Sequence, residues 1–558
     1  MTFLVREPVD ASVADVVGRT IAAQGVRDAF GVLGSGNLVV TNGLCQGGAR
    51  FHHARHEGGA ICMADGYARV TGRVGVCSVH QGPGLTNTMT GLTEAAKSRS
   101  PVLVLAGETP AAALTSNFRI DQHDLVESVG AIADRVFSAK TAADDAQRAH
   151  HRAHLERRPV VLMLPIDIQP QPAAQTEPGQ LTPPDVEPPA PPSAAITRLA
   201  AMIAGAERPA IIAGRGAVLA DAGPELERLG KRVGAVLATS APANGLFAGL
   251  PFALGISGGF ASPFAAEILA SADLYLVFGA SVNHWTTKHG ALINPRAKLI
   301  QVDIEPRSIG RNRPPDMGIV ADAKATATAL LQQLGEGVSV GLRTDRLKAQ
   351  IASRRWRDEA YDDASTDEYI DPRALSVGVN DALPAQRQVA VDSGHFLGYP
   401  SMFFDVPDAR SWVFPNGFQA VGLGLGNAIG AAIANPDVTT VAAIGDGGAF
   451  MALAEIETAA RLKLGNLLVL IYDDAAYGAE VHHFAPMGHD VSRVKFPDVD
   501  LAAIAQQSGA RAATIRNADE LAVIGEWLTE QSGHPLVLDA KVNPTICAEW
   551  LEEAFRAG

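Results

Sequence analysis

The chain has 558 residues, enough for about three domains of ordinary size. Hydrophobic residues make up 47% and charged residues 19%, which excludes a disordered or low-complexity chain. The formal net charge of −14 weighs against non-specific nucleic-acid binding and against attraction to anionic membranes.

In chain order, VADVVGRTIAAQGV reads as an amphipathic helix ending at Gly25, and AFGVLGSGN as a strand running into a glycine turn. A helix is expected from Glu57. VGVCSVHQGPGLTN reads as a strand, a Gly-Pro-Gly turn and a helix start, and PVLVLAGE and RPVVLMLPID as buried strands. Strands alternating with helices predict a parallel, doubly wound sheet over residues 1–170. A proline-rich linker is expected at 171–194. A central α/β domain follows at 195–335, with PAIIAGRGAV, ADLYLVFGAS and AKLIQVDIEP as strands running into loops. Residues 336–371 read as a polar helical connection, and 372–558 as a third α/β domain. The expected fold class is α/β, with three Rossmann-like sheets in series. Cys45, Cys62, Cys77 and Cys547 lack CxxC spacing and read as buried, reduced thiols. No basic, apolar leader or long apolar run is evident, so a cytoplasmic protein with no membrane span is expected.

The densest chemistry lies between Val441 and Glu480. Val441–Ile444 reads as a buried strand, broken by Gly445-Asp446-Gly447-Gly448. One helix should follow, with Leu453, Ile456, Ala460 and Leu464 on a single face. Leu467–Ile471 is the next strand, ending at Asp473-Asp474. Acids at the carboxyl ends of neighbouring strands sit where open α/β sheets place ligands. Glycines let backbone amides approach phosphate oxygens, and Mg²⁺ takes one or two carboxylates plus phosphates. Asp446 and Asp474, with the Ala476 carbonyl, are the expected metal ligands.

This stretch is similar to the motif of thiamine-diphosphate enzymes. That motif usually ends in Asn-Asn, whereas this chain has Asp473-Asp474; the departure is expected to add a negative charge beside the metal without removing a ligand. The resemblance implies that Gly445, Asp446, Gly447, Gly448 and Tyr477 contact the cofactor. RHEGGA, ADGYARVTGRVGV and GPGLTN resemble the pyrimidine-binding domain of acetohydroxyacid (acetolactate) synthases. In that family a glutamate hydrogen-bonds the cofactor's pyrimidine; Glu57 matches it, and burial beside a ring should raise its pKa. By the same resemblance Val421 lies under the cofactor, the Gln419 carbonyl accepts from the aminopyrimidine, and Gly394 and His395 lie by the diphosphate. Ser35, His80, Gln81, Gln122, Glu480, His482 and His483 are the reactive-site candidates. Glu480 falls where pyruvate decarboxylases carry a catalytic acid. Val302-Asp303-Ile304-Glu305-Pro306 resembles a segment that binds the adenine of FAD; with Gly214-Arg215-Gly216 it leaves open FAD or an empty vestigial site.

The resemblance implies a thiamine-diphosphate- and Mg²⁺-dependent carboligase acting on 2-keto acids. A decarboxylase or C–C lyase of the same cofactor class, hydrolysis of a diketone, and a non-catalytic homologue are the alternatives. Expected partners are small carbonyl substrates and further copies of the chain. In a homodimer or homotetramer, Glu57 of one subunit would face Asp446 and Asp474 of another.

Overall fold

The computed structural model describes residues 11–173 and 186–555. Half of the linker expected at 171–194, residues 174–185, therefore lies outside the described residues, and 186–192 are irregular. Three six-stranded parallel sheets follow one another along the chain.

The first sheet holds β1 (Asp28–Gly31), β2 (Arg50–His53), β3 (Gly75–Val79), β4 (Val102–Glu108), β5 (Ile132–Arg135) and β6 (Val160–Pro165). The second holds β7 (Pro209–Ala213), β8 (Val236–Thr239), β9 (Ala253–Ile256), β10 (Leu274–Phe278), β11 (Lys298–Asp303) and β12 (Met317–Val320). The third holds β13 (Arg387–Val391), β14 (Trp412–Val413), β15 (Thr439–Gly445), β16 (Leu467–Asp473), β17 (Arg511–Ile515) and β18 (Leu536–Lys541). The outer two sheets share one topology, β2-β1-β3-β4-β6-β5 and β14-β13-β15-β16-β18-β17. The central order, β12-β11-β10-β7-β8-β9, is the dinucleotide-fold order read from its far edge. Each sheet has a switch point where successive connections leave in opposite directions: between β1 and β3, β7 and β10, and β13 and β15. Ligands of such sheets bind there, beyond the strands' carboxyl ends.

Central strands such as β16 are buried along their whole length, which is why they read as continuous apolar runs. Five short strands, β5, β8, β9, β12 and β17, give no such signal in the sequence. Four of them lie at sheet edges, where part of each side chain stays wet.

The outer sheets do not keep separate cores. One apolar cluster runs from Phe30, Ile61 and Val104 of the first to Ala428, Ile444 and Val469 of the third. The helices Glu57–Thr71 and Gly424–Ala434 meet inside it. A Cβ at Gly66 would lie 2.1 Å from the Asn427 carbonyl oxygen, and one at Gly430 2.0 Å from that of Met63. Glycine is required at both positions for the backbones to approach this closely.

Three local expectations are corrected. The helix after Gly448 is two helices, Asp446–Met451 and Ala454–Arg461, with Leu464 beyond the second. The 336–371 connection contains one α-helix, Asp345–Ala352, and a short 3₁₀ turn at Trp356–Asp358. Cys62 and Cys77 are buried, but Cys45 and Cys547 are exposed, because each lies at the outer end of its segment. Among the described residues, no helix is long and apolar enough to cross a membrane.

Candidate active site

The third sheet delivers its acids to the switch point between β13 and β15. β15 runs straight into Asp446, and Asp474 is the first residue past β16. Gly394, His395, Gln419, Val421, Gly445, Asp446, Gly447, Gly448, Asp474, Ala476, Tyr477 and Glu480 all line one cavity of about 1440 Å³.

The two acids there lack positive charge. Burial, reinforced by Asp474 and Asp473, pushes Asp446 up to about 8. Burial, with Asp473 adding to it, pushes Asp474 up to about 7. Asp474 accepts from the Ala476 N–H at 3.1 Å, and His395 Nδ1 lies 3.6 Å from its other oxygen. Burial, and then His482, lowers His395 to about 3, so that imidazole is neutral and supplies no charge. The described residues contain no cluster of three or more metal-ligating side chains. Two hard carboxylates in a dry pocket therefore fit Mg²⁺ completing its shell with phosphate and water, and fit no all-protein metal cage.

The cradle around them is shaped by glycine. A Cβ at Gly448 would lie 2.3 Å from Asp392 Oδ2, and one at Gly478 2.3 Å from Asp474 Oδ2. Asp392, which the motif reading did not single out as a site residue, is buried. It accepts from the N–H groups of Ser393 (2.9 Å), Gly422 (2.8 Å) and Leu423 (3.1 Å). Burial, against those bonds, raises it to about 6. Its grip fixes the loop that carries Val421, which is left 39% exposed on the cavity wall. Gln419, two residues earlier, has φ +58°, a left-handed conformation that turns the peptide there.

Asp473, paired with Lys541, adds negative charge beside Asp446 and Asp474. It is the last residue of β16, with its side chain alternating away from Asp474's. Lys541 Nζ on β18 lies 2.6 Å from its Oδ2, 3.0 Å from Asp539 Oδ2 and 2.6 Å from Asp498 Oδ1. Asp473 and Lys541 are paired in register, so the compensating charge is built into the sheet.

The first sheet presents a second group at its own switch point. Glu57 opens its helix, capped by His56 Nδ1 accepting from the Gly58 N–H at 3.0 Å. Its carboxylate accepts from Asn87 Nδ2 at 2.9 Å and is only half-buried in one chain, short of the burial expected of it. His80 Nδ1 donates to the Gln81 carbonyl at 2.8 Å, so Nε2 is left to accept from the Ser35 hydroxyl at 3.3 Å. Gly84 lies between the two: its Cβ would stand 3.1 Å from His80 Cβ and 3.5 Å from Glu57 Oε1. Gln122 is buried with its amide committed to backbone, accepting from the Gly82 N–H (2.9 Å) and donating to the Gly107 carbonyl (3.0 Å). Gln81 is buried too, its Oε1 wedged between Gly36 and Gly107. These two glutamines support the turn instead of facing open space. Glu57, His80, Gln81 and Gln122 do not line the cavity that holds Asp446.

The central sheet's switch-point loops close the far arm of that cavity. Gly214 and Gly216 press on Gly279 and Ala280, where a Cβ at Gly214 would lie 2.2 Å from the Gly279 carbonyl oxygen. Loop packing accounts for these glycines without a ligand. Arg215 between them is pushed down to about 9 by burial and by Arg69. Asp303 accepts from the Glu305 N–H at 2.9 Å, and Glu305 pairs with Arg99 at 3.0 Å.

Comparison with known proteins agrees with this layout. Residues 11–128 match the N-terminal binding domain of thiamine pyrophosphate enzymes, 196–330 the central domain, and 392–540 the C-terminal binding domain. A probable 2-ketoarginine decarboxylase of Pseudomonas aeruginosa is 31% identical, over 82% of this chain and 81% of that protein. A sulfoacetaldehyde acetyltransferase of Rhodobacter capsulatus is 29% identical, over 95% and 96%. A probable acetolactate synthase large subunit of Methanocaldococcus jannaschii is 28% identical, over 95% and 92%. Among solved structures, a thiamine diphosphate-dependent 4-hydroxybenzoylformate decarboxylase of Rhodococcus jostii superposes with a TM-score of 0.81 at 23% identity, covering 96% of this chain and 99% of that one. With all three domains matched in order, the chain belongs to the thiamine pyrophosphate enzymes and is a thiamine-diphosphate-dependent enzyme.

Proposed function

We propose that the enzyme breaks the bond between the carboxyl and carbonyl carbons of a 2-keto acid and joins the acyl unit to a second carbonyl compound. The observation that carries this reading is the Asp446–Asp474 pair, two buried carboxylates in the cavity that also holds Glu480. Asp446, Asp474 and the Ala476 carbonyl hold Mg²⁺, and Gly445, Gly447, Gly448, Gly394, His395 and Tyr477 surround the diphosphate. Thiamine diphosphate, when bound, supplies a nucleophilic carbon and an electron sink. Val421 and the Gln419 carbonyl, both on the cavity wall, would contact the bound cofactor. Glu57 holds a proton against that ring, and must come from a second copy of the chain, because in one chain it stands outside the Asp446 cavity. A homodimer is the smallest complete unit. The apolar wall of Val421, Phe414 and Trp550 keeps water from the substrate carboxylate, favouring its loss as CO₂. Glu480 and the Ser35–His80 pair deliver and remove protons at the substrate oxygen and carbon.

A decarboxylase that ends in protonation is the second reading, favoured by the two proton-carrying groups, Glu480 and His80. The Arg215 arm of the cavity has room for an anionic nucleotide such as FAD, which a flavin absorbance spectrum of the purified protein would reveal. The deciding experiment supplies 2-keto acids, pyruvate first, with thiamine diphosphate and Mg²⁺, following CO₂ and identifying the product. An acyloin or acetolactate supports ligation, and an aldehyde alone supports the second reading. Absence of CO₂ from every 2-keto acid, with the cofactor bound, would overturn both.

A further inference from the structure

We propose that two buried carboxylates, Glu455 and Glu94, are positioning residues that cross-brace the chain, each holding the cofactor-side loop of the other outer domain. The proposal rests on the site reading above. Glu455 belongs to the third domain, in the first turn of the helix Ala454–Arg461, and is 2% exposed. Its Oε1 accepts from the backbone N–H groups of His56 (3.0 Å) and Arg55 (3.2 Å), the two residues before Glu57. A Cβ at Gly59 would lie 2.4 Å from that same oxygen, so glycine one turn into the Glu57 helix makes room for the brace. Glu94 belongs to the first domain and is 1% exposed. Its Oε2 accepts from the Phe418 N–H at 2.7 Å, next to Gln419 and three residues before Val421. Its Oε1 accepts from Arg69 at 2.9 Å and from Ser98 at 2.5 Å, and Arg69 also donates to the Phe414 carbonyl at 3.1 Å.

The bonds run in opposite directions between the same two domains. Each buried carboxylate holds backbone donors of an otherwise exposed loop, so removing either frees a specific loop. Neither glutamate reaches the cavity: Glu94 and Glu455 act through Gln419 and Glu57. Glu57 and Asp446 of one chain belong to different active sites in the proposed dimer.

The test begins with calorimetry of wild-type chain with Mg²⁺ and thiamine diphosphate. No binding there would sink the site reading itself, separately from the braces. Hydrogen exchange of the unliganded chain should then speed up tenfold or more at residues 55–57 in Glu455→Ala, and at 417–419 in Glu94→Ala. In the liganded chain, Glu455→Ala should slow proton exchange at the cofactor's C2 tenfold or more, with cofactor affinity changed less than about threefold. Glu94→Ala should instead weaken cofactor affinity tenfold. Adding Glu455→Ala to Glu57→Gln should cause no further loss. Should an alanine variant not fold, Glu455→Asp and Glu94→Asp, one methylene short of the loops, are read the same way. Folded variants with wild-type loop exchange, C2 exchange and affinity would overturn the proposal.

Discussion

Lys541 Nζ lies 2.6 Å from Asp473 Oδ2, so the acid beside Asp474 is tied into an ion-pair network of the third sheet. Asp473 and Asp539 are both buried, and Lys541 is the cation they share. Removing it in Lys541→Met should destabilise the fold by about 3–5 kcal/mol, because two buried carboxylates lose their partner. Asp473→Asn in the same chain should recover part of that loss. Urea unfolding of the single and double variants measures both, and a double variant no more stable than the single would refute the pairing.

Asp446→Asn should separate stability from binding. It removes a buried charge whose pKa stands at about 8 against an ordinary 3.8. The unliganded chain should gain on the order of 2 kcal/mol at pH 8, while Mg²⁺-dependent cofactor affinity falls at least tenfold. Calorimetry and thermal unfolding of the same preparation read the two effects.

The pH dependence has a definite sign. Asp446 and Asp474 sit at about 8 and about 7 in the folded chain, above the 3.8 of an unfolded carboxylate. Between those limits the folded state holds protons that the unfolded state has lost. Their contribution to stability is therefore complete below the unfolded value and is lost as pH rises through 8. Mg²⁺ takes the protons' place, so the rise in melting temperature on adding Mg²⁺ and cofactor should be larger at pH 8 than at pH 6. An equal rise at both would place the cation elsewhere.

Glu57→Gln keeps the hydrogen bond from Asn87 within reach but removes the carboxyl group. Cofactor affinity should hold, while C2 proton exchange falls by roughly 10²–10⁴. NMR of exchange in deuterated buffer with bound cofactor is the measurement.

Glu480→Gln should leave cofactor and metal affinity unchanged and lower kcat by roughly 10² or more. A shift in the ratio of ligated product to free aldehyde would identify Glu480 as the group that decides the fate of the acyl unit. Product analysis under single-turnover conditions checks this.

The chain's sequence by itself determined the three α/β layers, the buried central strands and the acids and glycines at the ends of β15 and β16. Those features are local: a continuous apolar run is buried on both faces, and glycine and aspartate mark where a strand ends in a turn. Edge strands such as β5 and β12 left no mark, because half-exposed strands of four residues carry little pattern. What only the tertiary structure decided are pairings between residues far apart in the chain. Asp473 and Lys541, Glu455 and His56, and Glu94 and Phe418 each join segments whose nearness no periodicity encodes. The structure alone also revealed that the outer domains share a core and that Glu57 stands apart from Asp446. Both depend on where the helix Glu57–Thr71 packs, which is set by glycine-mediated contact with Gly424–Ala434 some 360 residues later.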